Sequence, residues 1–205
     1  MVDAVSFIQL GHVFVANMTG NVVFLGFSAA GFTGVSAAGS VIALAAFLAG
    51  ALAGGRLVLL SARHEHLLRN ATLVKAFLVA LAIIAAADLP LFIGSPGWAA
   101  LIALLAFTMG IQNAAARKLA VPDLTTTVLT MTLTGIAADS TIAGGNNPRW
   151  ARRIVAIVSM FVGALIGALV VLRAGVLPVL AIVFVVFAIA SVSMHRAAML
   201  PAARS

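Results

Sequence analysis

Cysteine is absent from the 205 residues, which excludes disulfides, thiolate catalysis and Cys-ligated metals and leaves the redox compartment unreadable. Charge is nearly as scarce. Asp, Glu, Lys and Arg make up 8% of the chain against 63% hydrophobic residues, and the mean hydropathy is +1.21. A soluble domain of that balance would lack the polar surface to cover itself, so an integral membrane protein is expected. Acids are rarest, five against twelve Lys and Arg, for a net charge of +7. In a soluble protein that excess would suggest nucleic acid; here the cations fall between apolar runs and read as topology signals, with no nucleic-acid partner expected. Nothing resembles a cleaved signal peptide either, because "MVDAVSFIQLG" carries Asp3 where a basic region should stand.

What is present is a series of apolar segments: 1–11, 17–32, 40–60, 73–93, 98–116, 123–143, 151–172 and 176–195. The runs lack the two-residue alternation of barrel strands, and only helices or closed barrels satisfy their backbone in lipid. The expected fold class is therefore all-α, a polytopic membrane helix bundle forming a single membrane domain over 1–205. Segment 1–11 is too short to cross, since eleven helical residues reach about 16 Å against a hydrocarbon core of about 30 Å.

A polar motif interrupts this pattern and has a partner. "VANMTGNVVFL" (15–25) lies over "VPDLTTTVLTM" (121–131) at a shift of 106, matching Val15 with Val121, Thr19 with Thr125 and Val22 with Val128, and pairing Asn17 with Asp123. "GALAG" (50–54) likewise returns as "GALIG" (163–167), each with the Gly-x-x-x-Gly spacing that lets membrane helices approach closely. The halves 1–97 and 98–205 read as a duplication.

Charge then discriminates between topologies. With all eight segments crossing, Arg56, Arg63, Arg69, Lys75, Arg117, Lys118 and Arg173 face Arg149, Arg152, Arg153, Arg196 and Arg204, a split of seven to five. If 123–143 enters and leaves on one face, eleven basic residues share a side and Arg173 stands alone, as the positive-inside rule expects of a cytoplasmic face. Applying the same reading to its partner 17–32 leaves about six spanning helices, three per half. An odd number per half inverts the second repeat, so the two re-entrant half-helices enter from opposite faces. Asn17 and Asp123 are expected to cap them.

With both motifs in view, "VDAVSFIQLGHVFVANMTGNVVFLG" and "GIQNAAARKLAVPDLTTTVLTMTLTGIAAD" (110–139) resemble the YoaK family of small bacterial membrane proteins, over essentially the whole chain. The resemblance implies a polytopic inner-membrane protein of about six helices and implies no reaction. Family members carry a further apolar stretch before the "VDAVSF" equivalent, so the resemblance also implies that this chain begins within helix one.

Polar side chains at membrane depth cost about 2.5–3.5 kcal/mol for an Asp at a helix centre, so each wants a reason. One cluster holds Asp3, Ser6, Gln9, Asn17, Thr19 and Asn21; the other holds Gln112, Asn113, Asp123, Thr125, Thr126 and Thr127. Asn17, Thr19, Asn21, Gln112, Asn113, Asp123, Thr125, Thr126 and Thr127 are the candidate binding residues for a small polar solute or ion, converging where the half-helices meet. The competing reading is structural, with Thr hydroxyls bonding preceding carbonyls and Asn and Asp satisfying helix N-termini. Asp88 and Asp139 read as interfacial caps, "RHEH" (63–66) as a basic loop without enough ligands for a metal, "GFTGVSAAG" (31–39) as a flexible loop, and Trp98 and Trp150 as interfacial anchors. No Ser-nucleophile elbow, His-Glu-x-x-His helix, Walker A loop or carboxylate pair is found, so neither an enzyme nor a cofactor is expected. The leading expectation is a bacterial inner-membrane transporter or channel in contact with the lipid bilayer, its basic loops cytoplasmic, possible as a homo-oligomer. The alternative is a non-transporting scaffold or regulator that binds another membrane protein through its Gly-x-x-x-Gly faces.

Overall fold

The computed structural model describes residues 1–60, 64–118, 129–147 and 149–199, and every regular element among them is helical. In chain order these are α1 (Val2–Gln9), α2 (Met18–Ala29), α3 (Ala37–Leu60), α4 (His64–Asp88), α5 (Pro96–Lys118), α6 (Leu129–Ala138), α7 (Trp150–Ala174) and α8 (Val176–Met199), with a 3-10 turn at Thr141–Ala143. Five of them, α3, α4, α5, α7 and α8, contain stretches long and apolar enough to cross a membrane. The sixth expected crossing falls on α1, whose eight residues cover about 12 Å. The first polar motif falls on a helix of half-membrane length, α2, with 12 residues and about 18 Å; of the second motif, residues 121–128 lie outside the described residues, and the described α6 has 10 residues, about 15 Å.

The centre of the bundle is α5. Half of its apolar window, 50%, is buried, against 11% for α7, so α5 faces protein while α7 faces outward. Shielded by its neighbours, α5 is the least hydropathic of the five long helices and carries Thr108 buried and Gln112 and Asn113 half-buried. Its side chains Trp98, Leu101, Ile102, Leu105 and Ala106 form the main core with Leu10, Val13 and Ala43.

Close approach of α3 and α5 explains the first Gly-x-x-x-Gly. A methyl on Gly50 would collide with the Phe107 carbonyl oxygen, and one on Gly110 with the Phe47 carbonyl oxygen, so the two backbones touch. Gly54 packs on Ile111 and Ala114 one turn later, which makes the helices parallel. The second Gly-x-x-x-Gly does the same with α1: Gly163 lies against Met1, Gly167 against Met1 and Ala4, and Val171 clusters with Val5. Thus α7 runs parallel to α1.

The principal helix pairs among the described residues are α3 with α5, α1 with α7, α4 with α8, α4 with α5, α1 with α8, α2 with α3, α6 with α7, α7 with α8 and α3 with α4. Renaming α1–α4 as α5–α8 and the reverse turns this set into itself.

Four local expectations are corrected. Trp98 is not an interfacial anchor but a core residue, 3% exposed, whose indole N–H donates to the Leu10 carbonyl at 2.9 Å; Trp150 is 60% exposed. His64 and His66 belong to the first turn of α4 rather than to a loop. Helix α4 ends at Asp88, five residues before the expected limit, because Leu89 precedes Pro90 and the ring disfavours a helical residue before it. Asp88 itself sits exposed at that C-terminus, where there are no free N–H groups to cap.

Candidate functional site

Helix α1 closes with Gly11 in the left-handed region, φ +86°, and the His12 N–H donating to the Phe7 carbonyl at 3.2 Å, a Schellman turn that needs glycine at its first position past the cap. The chain then runs non-helically to Asn17. Val13 and Val15 are fully buried there, so each backbone polar group needs a protein partner. Asp3 supplies two of them. Its Oδ1 accepts from the N–H of Val15 at 2.9 Å and of Ala16 at 2.7 Å. Asn21 reaches back from α2 to close Phe14 on both sides, accepting its N–H at 2.9 Å and donating to its carbonyl at 2.6 Å. From outside, Trp98 donates to the Leu10 carbonyl and the Ser36 N–H donates to the Gly11 carbonyl at 3.1 Å.

Asn17 occupies the N-cap position of α2, but its side chain caps nothing, contrary to expectation. Its backbone carbonyl accepts from the Gly20 N–H at 3.2 Å, which closes the first turn and leaves the amide free. Gly20 is required for a different reason: a methyl there would stand 2.5 Å from Phe14 Cδ2. The bare backbone lets the Phe14 ring lie on the first turn of α2. Phe14 in turn belongs to a three-ring cluster, stacking on Phe7 at 5.2 Å and on Phe24 at 5.5 Å with 17° between the latter planes, while Phe7 and Phe24 also meet at 6.4 Å.

The first turn of α2 and the first described turn of α6 face one cavity of about 400 Å³. Phe14, Asn17, Thr19, Gly20, Val23 and Phe24 line it from the first half; Leu129 and Thr130 of α6 and Met160 of α7 line it from the second. Beyond the cavity, α6 is clamped at its far end. Arg153 of α7 donates to the Gly135 carbonyl at 2.6 Å, pairs with Asp139 at 2.8 Å and donates to Asn147 Oδ1 at 3.3 Å. Asp139 is therefore an ion-pair partner at a helix C-terminus rather than an N-terminal cap.

Of the candidate binding residues, Asn17 and Thr19 line the cavity, whereas Asn21, fully buried, is consumed in holding Phe14. Gln112 and Asn113 lie on α5 and are not part of the lining. Asn113 donates to its own helix at the Met109 carbonyl, and Gln112 Oε1 is buried without a hydrogen-bond partner among the described residues. Asp123, Thr125, Thr126 and Thr127 lie outside the described residues. Two contributions went unread in the sequence. The aromatic wall of Phe14 and Phe24 was hidden because phenylalanine looks like any other residue of an apolar run. Thr130, by contrast, was within reach as the next hydroxyl after the Thr125–Thr127 run.

A protein of Bacillus subtilis (strain 168) named "UPF0700 transmembrane protein YoaK" is 35% identical over 140 residues, 68% of this chain and 61% of that relative. Residues 1–193 match the family described as "Protein of unknown function (DUF1275)". The chain belongs to the YoaK family. With five long apolar helices it is a multi-pass membrane protein, as that relative's name also states of the relative. The matched stretch spans less than two thirds of the length of the curated relative. No solved structure matches this YoaK-family chain.

Proposed function

We propose that this YoaK-family protein is a bacterial inner-membrane transporter or channel that passes a small polar solute through the cavity between α2 and α6. The observation that carries the proposal is that cavity, shared by the first turn of α2 and the first described turn of α6, one helix from each half of the chain. Helix directions support entry from opposite faces. Leu10 and Gly11, at the end of α1, bond to Trp98 at the start of α5 and Ser36 before α3, so residues between α1 and α3 leave and return on one side. Since α3 and α5 run parallel, and α7 runs parallel to α1, the end of α5 and the start of α7 share the other side. Neither α2 nor α6 then crosses, and the two halves are inverted repeats. The helix pairings that survive exchange of the halves support the same relation. Arg56, Arg117, Lys118, Arg149, Arg152 and Arg153 fall on the side where α3 and α5 end and α7 begins, with Arg173 opposite, so the former is cytoplasmic.

The scaffold alternative has less support. Both Gly-x-x-x-Gly faces are filled within the chain, one by α5 and one by α1. Enzymatic chemistry has no support in the cavity either, whose described lining bears no ionisable side chain.

The test uses the absence of native cysteine. Single cysteines at Lys118 and Asn146, both exposed, are expected to react with a membrane-impermeant thiol reagent only after cells are opened. Labelling of the two from opposite sides would make α6 part of a crossing and remove the basis for the site. In proteoliposomes screened for solute uptake, Asn17→Leu should then abolish whatever flux the native chain supports; flux indifferent to Asn17→Leu would place the route elsewhere.

A further inference from the structure

The cavity has two unlike walls. Its aromatic part is the rings of Phe14 and Phe24, stacked 17° from coplanar and each also in contact with Phe7. Its polar part is the Asn17 amide and the hydroxyls of Thr19 and Thr130, none of which makes a side-chain hydrogen bond within the described structure. The aromatic wall is preorganised: Asn21 holds the Phe14 backbone by two hydrogen bonds, and Gly20 leaves the space its ring needs. Such a ring stack presents a flat apolar face, while the unpartnered amide offers a donor and an acceptor together.

Size argues against a bare ion. A dehydrated cation needs six or so oxygens at about 2.3–2.6 Å, a shell far tighter than a cavity of about 400 Å³ with a phenyl wall. That volume lies in the range of small organic ligand sites, about 300–1,000 Å³. The described lining offers an amide and hydroxyls and no charged side chain, groups that pair with a neutral hydrogen-bonding edge.

We propose that the ligand is an uncharged planar molecule with a hydrogen-bonding edge, a heteroaromatic amide or imide, stacked on Phe14 and Phe24 with its edge toward Asn17, Thr19 and Thr130. This rests on the transport reading for its site, and narrows what that site takes.

The test measures equilibrium binding to the full chain in lipid nanodiscs for four probes: nicotinamide, uracil, cyclohexanecarboxamide and nicotinate. Nicotinamide and uracil should bind, with nicotinamide at least about fivefold tighter than its saturated analogue cyclohexanecarboxamide, the preference expected from ring stacking. Nicotinate, planar but anionic, should bind more weakly than nicotinamide. Phe24→Leu should cut the planar preference to less than about twofold, and Phe24→Trp, which keeps a π face, should retain it and so guards against a variant that merely misfolds. Equal binding of planar and saturated amides by the native chain, or equal weakening of both by Phe24→Leu, would overturn the assignment. Uptake of a saturated or charged solute that depends on Asn17, without any planar preference, would overturn it while leaving transport intact. Planar binding that depends on Phe24, without flux, would uphold the ligand class and remove the transport reading.

Discussion

Replacing Gly50 with alanine is expected to destabilise the bundle even though alanine is the better helix former by about 1 kcal/mol. The new methyl would fall on the Phe107 carbonyl oxygen and lie 2.8 Å from the carbonyl carbon and 2.9 Å from Cα. These are backbone atoms of the central helix and cannot rotate aside. Gly110 stands in the reciprocal position, where a methyl would meet the Phe47 carbonyl oxygen and lie 2.7 Å from the Ala51 nitrogen. Relief therefore requires α3 and α5 to part along their length, and a gap of about 0.5–1 Å forfeits a quarter to a half of the dispersion attraction of the atoms it separates. Overpacking a side-chain core costs about 1–3 kcal/mol, and rigid backbone on both sides puts this site at the upper end. Setting about 3 kcal/mol of strain against about 1 of propensity leaves a net loss of about 2 kcal/mol. For a chain of this size that lowers the melting temperature by about 4–8 °C. Gly55 provides the control, since a methyl there meets nothing within 4 Å. Gly55→Ala should gain the propensity alone and melt about 2–4 °C higher. The assay is thermal unfolding of the purified chain in detergent, followed by helical circular dichroism and by loss of the monodisperse fraction. If Gly50→Ala melts no lower than the native chain while Gly55→Ala behaves as stated, the backbones of α3 and α5 are not in contact.

Asp3→Ala should strand the buried N–H groups of Val15 and Ala16, a loss of about 2–6 kcal/mol in all, seen as lower extraction yield and melting temperature than in Asp88→Ala, which alters an exposed helix end. Trp98→Phe keeps the ring in the core but leaves the Leu10 carbonyl without its donor, and should cost about 1–3 kcal/mol in the same melting assay. Arg153→Lys should fail to restore what Arg153→Met removes, because one ammonium cannot bridge Gly135, Asp139 and Asn147 together; faster hydrogen exchange of the Gly135–Asp139 amides in both variants is the readout, and native-like protection in Arg153→Met would mean that the clamp does not hold α6.

How much of the site could be read beforehand depended on the kind of interaction. Asn17 and Thr19 stood out because polar residues in an apolar run are costly, and both line the cavity. Asn21 stood out equally, yet its amide is spent on Phe14, seven residues earlier in the chain, a bond that exists only because the chain folds back on itself. Asp3 was visible as an intramembrane acid, but its task, holding N–H groups 12 and 13 residues away, needs the turn at Gly11 and His12 to bring them within reach. Trp98 misled because an aromatic at the mouth of an apolar segment usually marks the lipid interface; burial against Leu10 overrode that tendency.

The sequence by itself determined the membrane environment, the helical class and the paired Gly-x-x-x-Gly motifs, because each follows from apolar length or residue spacing along the chain. Tertiary structure alone decided which helices those glycines join, that α5 is central, and that α2 and α6 share one cavity with a phenyl wall. Those depend on contacts between residues far apart in the chain, such as Val5 with Val171 and Met1 with Gly167, and apolar side chains in lipid carry no mark in the sequence that tells a partner helix from the bilayer.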